Sequence, residues 1–248
     1  MLKIRIIPVL TFNGIALVKT KLFSNPRIVG NPIQSAKVYN SRGVDELVFL
    51  DINATLQKRK PNLGLTKLII DQCFMPVAIG GGITTIEDIN DLLRVGADKV
   101  VIGPRSIKDL QFISEAVKYF GSQCISISVD IKNVNGQYIV FGDKKILSNL
   151  EDFMTALNQC DVGEFLITSI DRDGMMEGYD IDLYEMVNHL TRKPIIAVGG
   201  AGCPEHFSAL LSKVQLSGLG ASSIYHFTRY TPKDVKYELA KYNYPVRI

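Results

Sequence analysis

The chain repeats itself at half its length. Residues 77–85 read VAIGGGITT and residues 195–204 read IIAVGGAGCP; each is an apolar run, a glycine cluster and a helix start. Gly199 lies 119 positions after Gly80. Glu46 heads ELVFLDI and Glu164 heads EFLITSI, 118 positions apart, while Gly103 and Ser222 close KVVIG and LGAS, 119 apart. A 248-residue chain with this spacing is an internal duplication. Its fold must be one that two like halves can build together.

The order of elements narrows the choice. Short apolar, β-branched runs at 4–10, 46–52, 76–80, 99–102, 125–131, 164–169, 195–198 and 219–222 read as strands. Between them, helical stretches are expected at 33–42, 65–73, 85–95, 109–120, 150–160, 182–190, 204–213 and 231–242. Thr84 or Thr85 caps the third of these, with Glu87 and Asp88 in its first turn. A hairpin arm is expected at 15–21, a long mobile loop at 24–32 and a second hairpin around Asn135-Gly136. Strands that are apolar without alternation are buried on both faces, which means parallel pairing. Eight strands alternating with eight helices give an α/β fold, a (β/α)8 barrel formed as one domain over residues 1–248. A doubly wound open sheet is the competitor, and the half-length repeat favours the barrel.

Composition removes several function classes. The formal charge is only +3, and no basic run is interleaved with aromatics, so nucleic acid is not an expected partner. No apolar stretch reaches the roughly 18 residues of a membrane span. The N-terminus, MLKIRIIPVLTF, reads as a charged strand, not a signal peptide. Cys73, Cys124, Cys160 and Cys203 are widely spaced and read as reduced thiols of a cytoplasmic protein. His189, His206 and His226 lack metal-ligand spacing, and neither a metal nor an organic cofactor is expected.

Three constellations carry chemistry. In such barrels functional groups gather at the carboxyl ends of the strands. The repeat places two glycine-lined phosphate cups there: Gly199, Gly200, Gly202, Ser222 and Ser223 in one, Gly80, Gly81, Gly82 and Gly103 in the other. Glycine lets backbone N–H groups approach an oxyanion, and a following helix start favours negative charge. Two cups imply an extended substrate with a phosphate at each end. The second constellation is acidic: Asp51 and Asp130 end strands, and Asp171 and Asp173 follow one, all candidate proton carriers or loop-orienting acceptors. Asp130 maps by the repeat onto position 11, which is Thr11. The third constellation is at the opposite end. Arg5, Glu46, Lys99 and Glu164 start four strands with alternating charge, as a structural plug or as the gate of an axial passage.

These residues, with the motifs RIIPVL, DELVFLDI, IGGGI, GADKVVI, LITSIDRDG, GYD, GGAG and EHF, span essentially the whole chain and resemble the HisF family, the cyclase subunits of imidazole glycerol phosphate synthase. The resemblance implies a (β/α)8 barrel that docks a glutaminase on its amino-end face. Ammonia then passes a charged gate and the barrel axis to a ribulosyl substrate carrying two phosphates. Arg5, Glu46, Lys99 and Glu164 match the family gate; Lys19, Asp51, Asp130, Thr168, Asp173 and Gly174 match active-site positions; Asp98 matches a contact to the glutaminase.

The departures are local. The family's two catalytic aspartates fall at Thr11 and Asp130, Gly103-Pro104 stands where polar residues are usual, and the acidic stretch of the mobile loop reads RIVGNP. A kept gate beside an altered cyclase site resembles the HisF-like paralogues of surface-sugar pathways. The reading put first is therefore a glutamine-dependent amidotransferase subunit that conducts ammonia to a separate sugar amidotransferase. The alternatives are the histidine-pathway cyclase itself, a lyase-type enzyme working through Asp130, and a scaffold that only activates the glutaminase.

Overall fold

The computed structural model describes residues 2–103, 109–142 and 145–248. Along the chain run β1 (Arg5–Phe12), β2 (Leu17–Lys21), β3 (Ser24–Gly30), α1 (Pro32–Ser41), β4 (Leu47–Asp51), α2 (Leu63–Ile70), β5 (Val77–Gly80), α3 (Ile86–Arg94) and β6 (Lys99–Ile102). Next come α4 (Leu110–Phe120), β7 (Ile125–Val134), β8 (Gln137–Gly142), β9 (Lys145–Asn149), α5 (Leu150–Asn158), β10 (Glu164–Ser169) and α6 (Ile181–Leu190). The last elements are β11 (Ile195–Val198), α7 (Glu205–Leu211), β12 (Gly218–Ala221), α8 (Ser223–Phe227) and α9 (Pro232–Lys241).

Eight of the strands pair in parallel in the order β1, β4, β5, β6, β7, β10, β11, β12, and β12 returns to β1. The β7–β10 register, running from Glu164 opposite Ser126 to Ser169 opposite Ile131, leaves no gap in the ring. That closure excludes the open doubly wound sheet and makes the fold a (β/α)8 barrel. Most barrel strands are apolar on both faces because each face meets a different core, while β7 turns Ser126, Ser128 and Asp130 away from its outer apolar face. Ile7, Val9, Val48, Ala78, Val101, Leu166, Ile196 and Val198 fill the barrel interior. Ile6, Leu10, Leu47, Phe165 and Ile167 point outward under the helices.

Polar caps start most of the helices, including the one expected at Thr84 or Thr85. Thr85 and Asp88 form a reciprocal capping box, as do Thr231 and Asp234. Asn31, Asn62, Asp109, Asn149 and Asp180 each accept a backbone N–H of the helix they precede. Each such cap is worth on the order of 1 kcal/mol.

The duplication is visible in the strand connections. β1 is followed by the antiparallel pair β2 and β3, and β7 by the antiparallel pair β8 and β9. Residues 24–32, expected as a mobile loop, are mostly the edge strand β3, with Val18 opposite Ile28 and Lys19 opposite Arg27. Pro26 is compatible with that strand because an edge needs no inward donor at every residue. The reversal between β2 and β3 is made by Leu22 and Phe23, both left-handed at φ 52° and 57° with no glycine to signal it. Strand β9 and helix α8 were likewise not anticipated.

Candidate active site and axial passage

The four charges at the amino-end mouth meet in a closed ring. Arg5 Nη1 is 2.6 Å from Glu46 Oε2 and its Nη2 is 2.8 Å from Glu164 Oε2. Lys99 Nζ donates to Glu46 at 3.0 Å and to Glu164 at 2.8 Å. Each cation thus bridges both carboxylates. Ser126 Oγ adds a donor to Glu164 at 2.8 Å, and the Ser217 carbonyl accepts from Arg5 Nε at 3.3 Å. Glu46 and Glu164 are buried. Burial opposes the charged form of Glu164, but Arg5 and Lys99 outweigh it and hold the carboxyl below its usual range. Burial likewise opposes the Arg5 cation, yet Glu164 and Glu46 raise it above its ordinary value. Above this ring the axis is the apolar interior layer, and above that layer lies the pocket. Asp98, at the same end, is exposed and accepts the Val77 N–H at 2.8 Å.

The carboxyl-end pocket is a cavity of about 770 Å³. It is lined by Thr11, Lys19, Asp51, Asp130, Thr168, Asp173 and Gly174, together with the glycines and serines of both cups except Gly80 and Gly202. Strand register explains much of this grouping: Asp130 and Thr168 are direct partners across β7 and β10, and Thr11 and Phe12 end β1 beside Leu50 and Asp51 of β4. Desolvation, and then the negative charge of Asp173, push the Asp130 carboxyl up to about 7, against a smaller opposite effect of its hydrogen bond with Thr168. Asp130 therefore titrates at neutral pH, the range that suits a general acid or base.

The other acids are committed to partners. Asp51 is held by Arg59 through two contacts, 2.8 and 3.1 Å. Asp171 accepts the Asn133 N–H at 2.6 Å, which ties the β7–β8 hairpin to the turn after β10. Asp173 is buried and gripped by β2: Lys19 pairs with Oδ1, and Thr20 Oγ1 donates to Oδ2 at 2.7 Å. Gly174 makes that approach possible, since a Cβ there would lie 2.3 Å from the Thr20 carbonyl. Thr11 turns its hydroxyl to the Val18 carbonyl.

The two cups differ. Gly199 and Gly200 are left-handed after β11, and a Cβ on Gly200 would fall 2.1 Å from the Gly178 carbonyl. Ser223 follows at the start of α8; its Oγ is buried and meets no protein hydrogen-bond partner. Gly202 stands apart from the cup: its N–H donates to His206 Nδ1 at 3.1 Å, so that amide is not free for an anion. In the other cup Gly82 is packed against the Arg59 carbonyl, whereas a Cβ on Gly103 would meet nothing within 4 Å. Pro104 lies outside the described residues.

Comparison with known proteins agrees with this arrangement. Residues 5–231 match the family model described as histidine biosynthesis protein. Over the full length of both chains the protein is 37% identical to the "putative imidazole glycerol phosphate synthase subunit hisF2" of Campylobacter jejuni. It is 39% identical to the imidazole glycerol phosphate synthase subunit HisF of Dehalococcoides mccartyi, covering all of this chain and 99% of that one. It is 38% identical, across both whole chains, to the HisF subunit of a Hydrogenobaculum species. The chain belongs to the HisF family. This HisF-family barrel also carries site residues that sequence reasoning did not single out. Arg59 clamps Asp51, Thr20 fixes Asp173, and Ser126 completes the ring. His226, on α8, is lowered by burial and then by the charge of Lys19. Thr20 and Ser126 look like ordinary strand residues, and only the tertiary register gives them a role. Arg59 had a weak signal in the basic KRK following Asp51 by a few residues. No helix among the described residues is long and apolar enough to cross a membrane, and none of their His, Cys, Asp and Glu side chains gather as a metal site.

Proposed function

We propose that this barrel is the cyclase subunit of an imidazole glycerol phosphate synthase, a lyase-type enzyme that receives ammonia from a glutaminase partner. The observation that carries the reading is the placement of a closed charged ring and an anion-ready, acid-bearing pocket at opposite ends of one barrel, in a chain similar over its full length to HisF subunits. In this reading the glutaminase docks on the amino-end face near Asp98, and the ring of Arg5, Glu46, Lys99 and Glu164 admits ammonia to the apolar axis. A bis-phosphorylated ribulosyl compound lies in the carboxyl-end pocket. The cup at Gly199, Gly200, Ser222 and Ser223 holds one phosphate, and the cup at Gly82 and Gly103 the other. Lys19, Asp51 and Thr168 orient the substrate, and Asp130 transfers protons. The reaction would take place in the cytoplasm.

The sugar-amidation reading, put first from sequence, has narrower support. It rests on Gly103-Pro104, on the RIVGNP stretch and above all on Thr11, whose hydroxyl cannot exchange a proton near neutral pH as a carboxyl can and is turned to the Val18 carbonyl. No relative named above is described by a polysaccharide or sugar-amidation role. The test is to incubate the purified chain with the bis-phosphorylated ribulosyl substrate and ammonium salt and to follow substrate consumption and imidazole formation. Sustained turnover supports the cyclase. Complete inactivity, in a protein that still binds the substrate and its glutaminase, overturns it in favour of ammonia delivery to a separate acceptor.

A further inference from the structure

We infer that two serines of β7, Ser128 with Ser126 below it, form a hydroxyl ladder that hands ammonia from the charged ring to the pocket beside Asp130. The inference rests on the ammonia-delivery part of the function proposed above, which the cyclase and sugar-amidation readings share.

Between the ring and the pocket the axis is apolar except along β7. Ile125, Ile127, Val129 and Ile131 of that strand pack outward under the helices, so the period of two turns Ser126, Ser128 and Asp130 inward. Ser126 is 2% exposed and Ser128 7%. Burying a hydroxyl costs free energy unless a hydrogen bond compensates it, so each serine needs a use. Ser126 has one: its Oγ donates to Glu164 Oε1 at 2.8 Å, the same oxygen that takes Lys99 Nζ at 2.8 Å. The ring and the foot of the ladder therefore meet at one carboxylate oxygen. Ser128 has none: among the described residues no hydrogen bond reaches its hydroxyl. It lines the pocket together with Val9, Leu50, Val101 and Val198, which belong to the apolar filling of the axis. The cavity thus reaches down to an apolar floor into which Ser128 presents a free hydroxyl. The next inward group on the strand is Asp130, in register with Thr168.

The spacing suits one small molecule per step. Alternate residues of a strand lie about 6.6–6.8 Å apart along it. A molecule hydrogen-bonded at about 2.9 Å to each of two groups spans up to about 5.8 Å, and rotation of a serine hydroxyl about its Cα–Cβ bond covers the difference. One ammonia fits between Ser126 and Ser128, and one between Ser128 and Asp130. Ammonia brings three N–H donors and one lone pair. Ser126, having donated to Glu164, keeps its own lone pairs for an N–H, while the Ser128 hydroxyl can accept an N–H or donate to the nitrogen. The molecule crosses by exchanging one partner for the next, and is never stripped of all partners in the apolar axis. An ammonium ion has no lone pair for Ser128 and would carry its charge into that apolar layer, so the ladder favours the neutral molecule. Ser126 and Ser128 act here as positioning residues for the nitrogen that the reaction consumes.

The test has a structural and a kinetic arm, built on Ser128→Thr and Ser128→Val. These two replacements have nearly the same volume and differ by one hydroxyl, so packing is held constant between them. In a crystal structure of the full chain that resolves waters, a water standing in for ammonia should lie within hydrogen-bond distance of Ser128 Oγ. Ser128→Thr should keep it and Ser128→Val should lose it. In the complex with the glutaminase, Ser128→Val should lower glutamine-supported imidazole formation at least about fivefold more than ammonium-supported formation, about the worth of one neutral hydrogen bond. Ser128→Thr should hold the ratio of the unmodified protein. A ratio that is the same in all three proteins, or two rates that fall together, overturns the ladder. If the unmodified complex uses neither nitrogen source, the proposed reaction fails by itself and the waters decide, as they do if neither variant folds. A dry Ser128 hydroxyl in the unmodified protein then overturns the ladder, and an occupied one sustains it.

Discussion

Ser223→Ala should make the empty protein more stable and the anion-bound protein weaker. Ser223 is 5% exposed, and its hydroxyl finds no protein partner although it opens the short helix beneath the pocket. A buried hydroxyl without a partner costs about 1–3 kcal/mol, and alanine removes the polar atom while leaving Cβ and the backbone in place. A gain of about 1 kcal/mol is the conservative expectation, equivalent to roughly 2–4 °C in Tm for a chain of this size. The same hydroxyl, donating to a phosphate or sulfate oxygen, makes a charge-assisted bond worth about 1.5–3 kcal/mol, so its loss should weaken anion binding roughly 10- to 150-fold. The assay is thermal unfolding in an anion-poor buffer, repeated across a sulfate titration. At 100 times Kd the unmodified protein should gain about 2.7 kcal/mol, a gain the variant reaches only at proportionally higher sulfate. A variant that melts lower without sulfate, or one whose sulfate affinity stays within twofold, would show that the Ser223 hydroxyl is structural and that the cup is not built around it.

The raised Asp130 carboxyl makes stability depend on pH. Between the ordinary carboxyl range and about 7 the folded chain holds a proton that the unfolded chain releases. Stability should fall as pH rises through that window, by on the order of a few kcal/mol, and Asp130→Asn should flatten the slope when urea unfolding is compared at acidic and alkaline pH. Lys99→Ala leaves Arg5 as the cation shared by Glu46 and Glu164, with Ser126 still donating to Glu164. In the complex with its glutaminase it should raise the share of ammonia lost to solvent relative to ammonia incorporated, and an unchanged ratio would leave the ring as a structural plug. Gly200→Ala forces a Cβ to within 2.1 Å of the Gly178 carbonyl at φ 109°, so loss of at least about 2 kcal/mol and of sulfate binding is expected by calorimetry.

What could be read in the sequence follows from which interactions are local. The eight barrel strands were legible as short, mostly apolar β-branched runs, and the cap of α3 because Thr85 stands immediately before the acidic first turn of its helix. The ring was legible because its members open strands, so period and direction alone bring Arg5, Glu46, Lys99 and Glu164 to one mouth. The arm was not. Nothing in Leu22-Phe23 announces a tight reversal, and Pro26, Asn25 and Gly30 argue locally for a loop. Tertiary pairing overrides them by giving β2 an antiparallel partner. Gly202 misled for a related reason: its glycine pattern suggests an anion cup, but its amide serves His206 and its missing Cβ makes room for Met176. The engagement of Asp51 with Arg59 and of Asp173 with Thr20 depends on loops meeting across the pocket, which no local spacing encodes.

The duplication also suggests why one half can depart from the other without losing the site. Each half contributes an antiparallel arm after its first strand, yet both arms lean on the same place, the segment from β10 to α6 in the second half. The first arm reaches it through Lys19 and Thr20 on Asp173, and the second through the Asn133 N–H on Asp171 and Tyr138 on Asp180 at 2.9 Å. Two similar half-barrels are thereby turned into one asymmetric pocket, with Asp130 and Asp173 at the ends of β7 and β10 and Asp51 at the end of β4. In that arrangement Thr11 and Asp130 are equivalent by descent but not by surroundings. The hydroxyl at 11 is used to fasten the root of the first arm at Val18, while the carboxyl at 130 is raised by burial and then by the charge of the acid that the first arm holds in place. A carboxylate introduced at 11 would be set against the Val18 carbonyl and would loosen the arm that orders Lys19. Thr11→Asp should therefore restore at most part of the 10²–10⁴-fold that a positioned acid or base supplies. Full restoration of ammonia-dependent turnover by that single change would show that the arm's attachment at Thr11 is dispensable and that the two halves remain interchangeable.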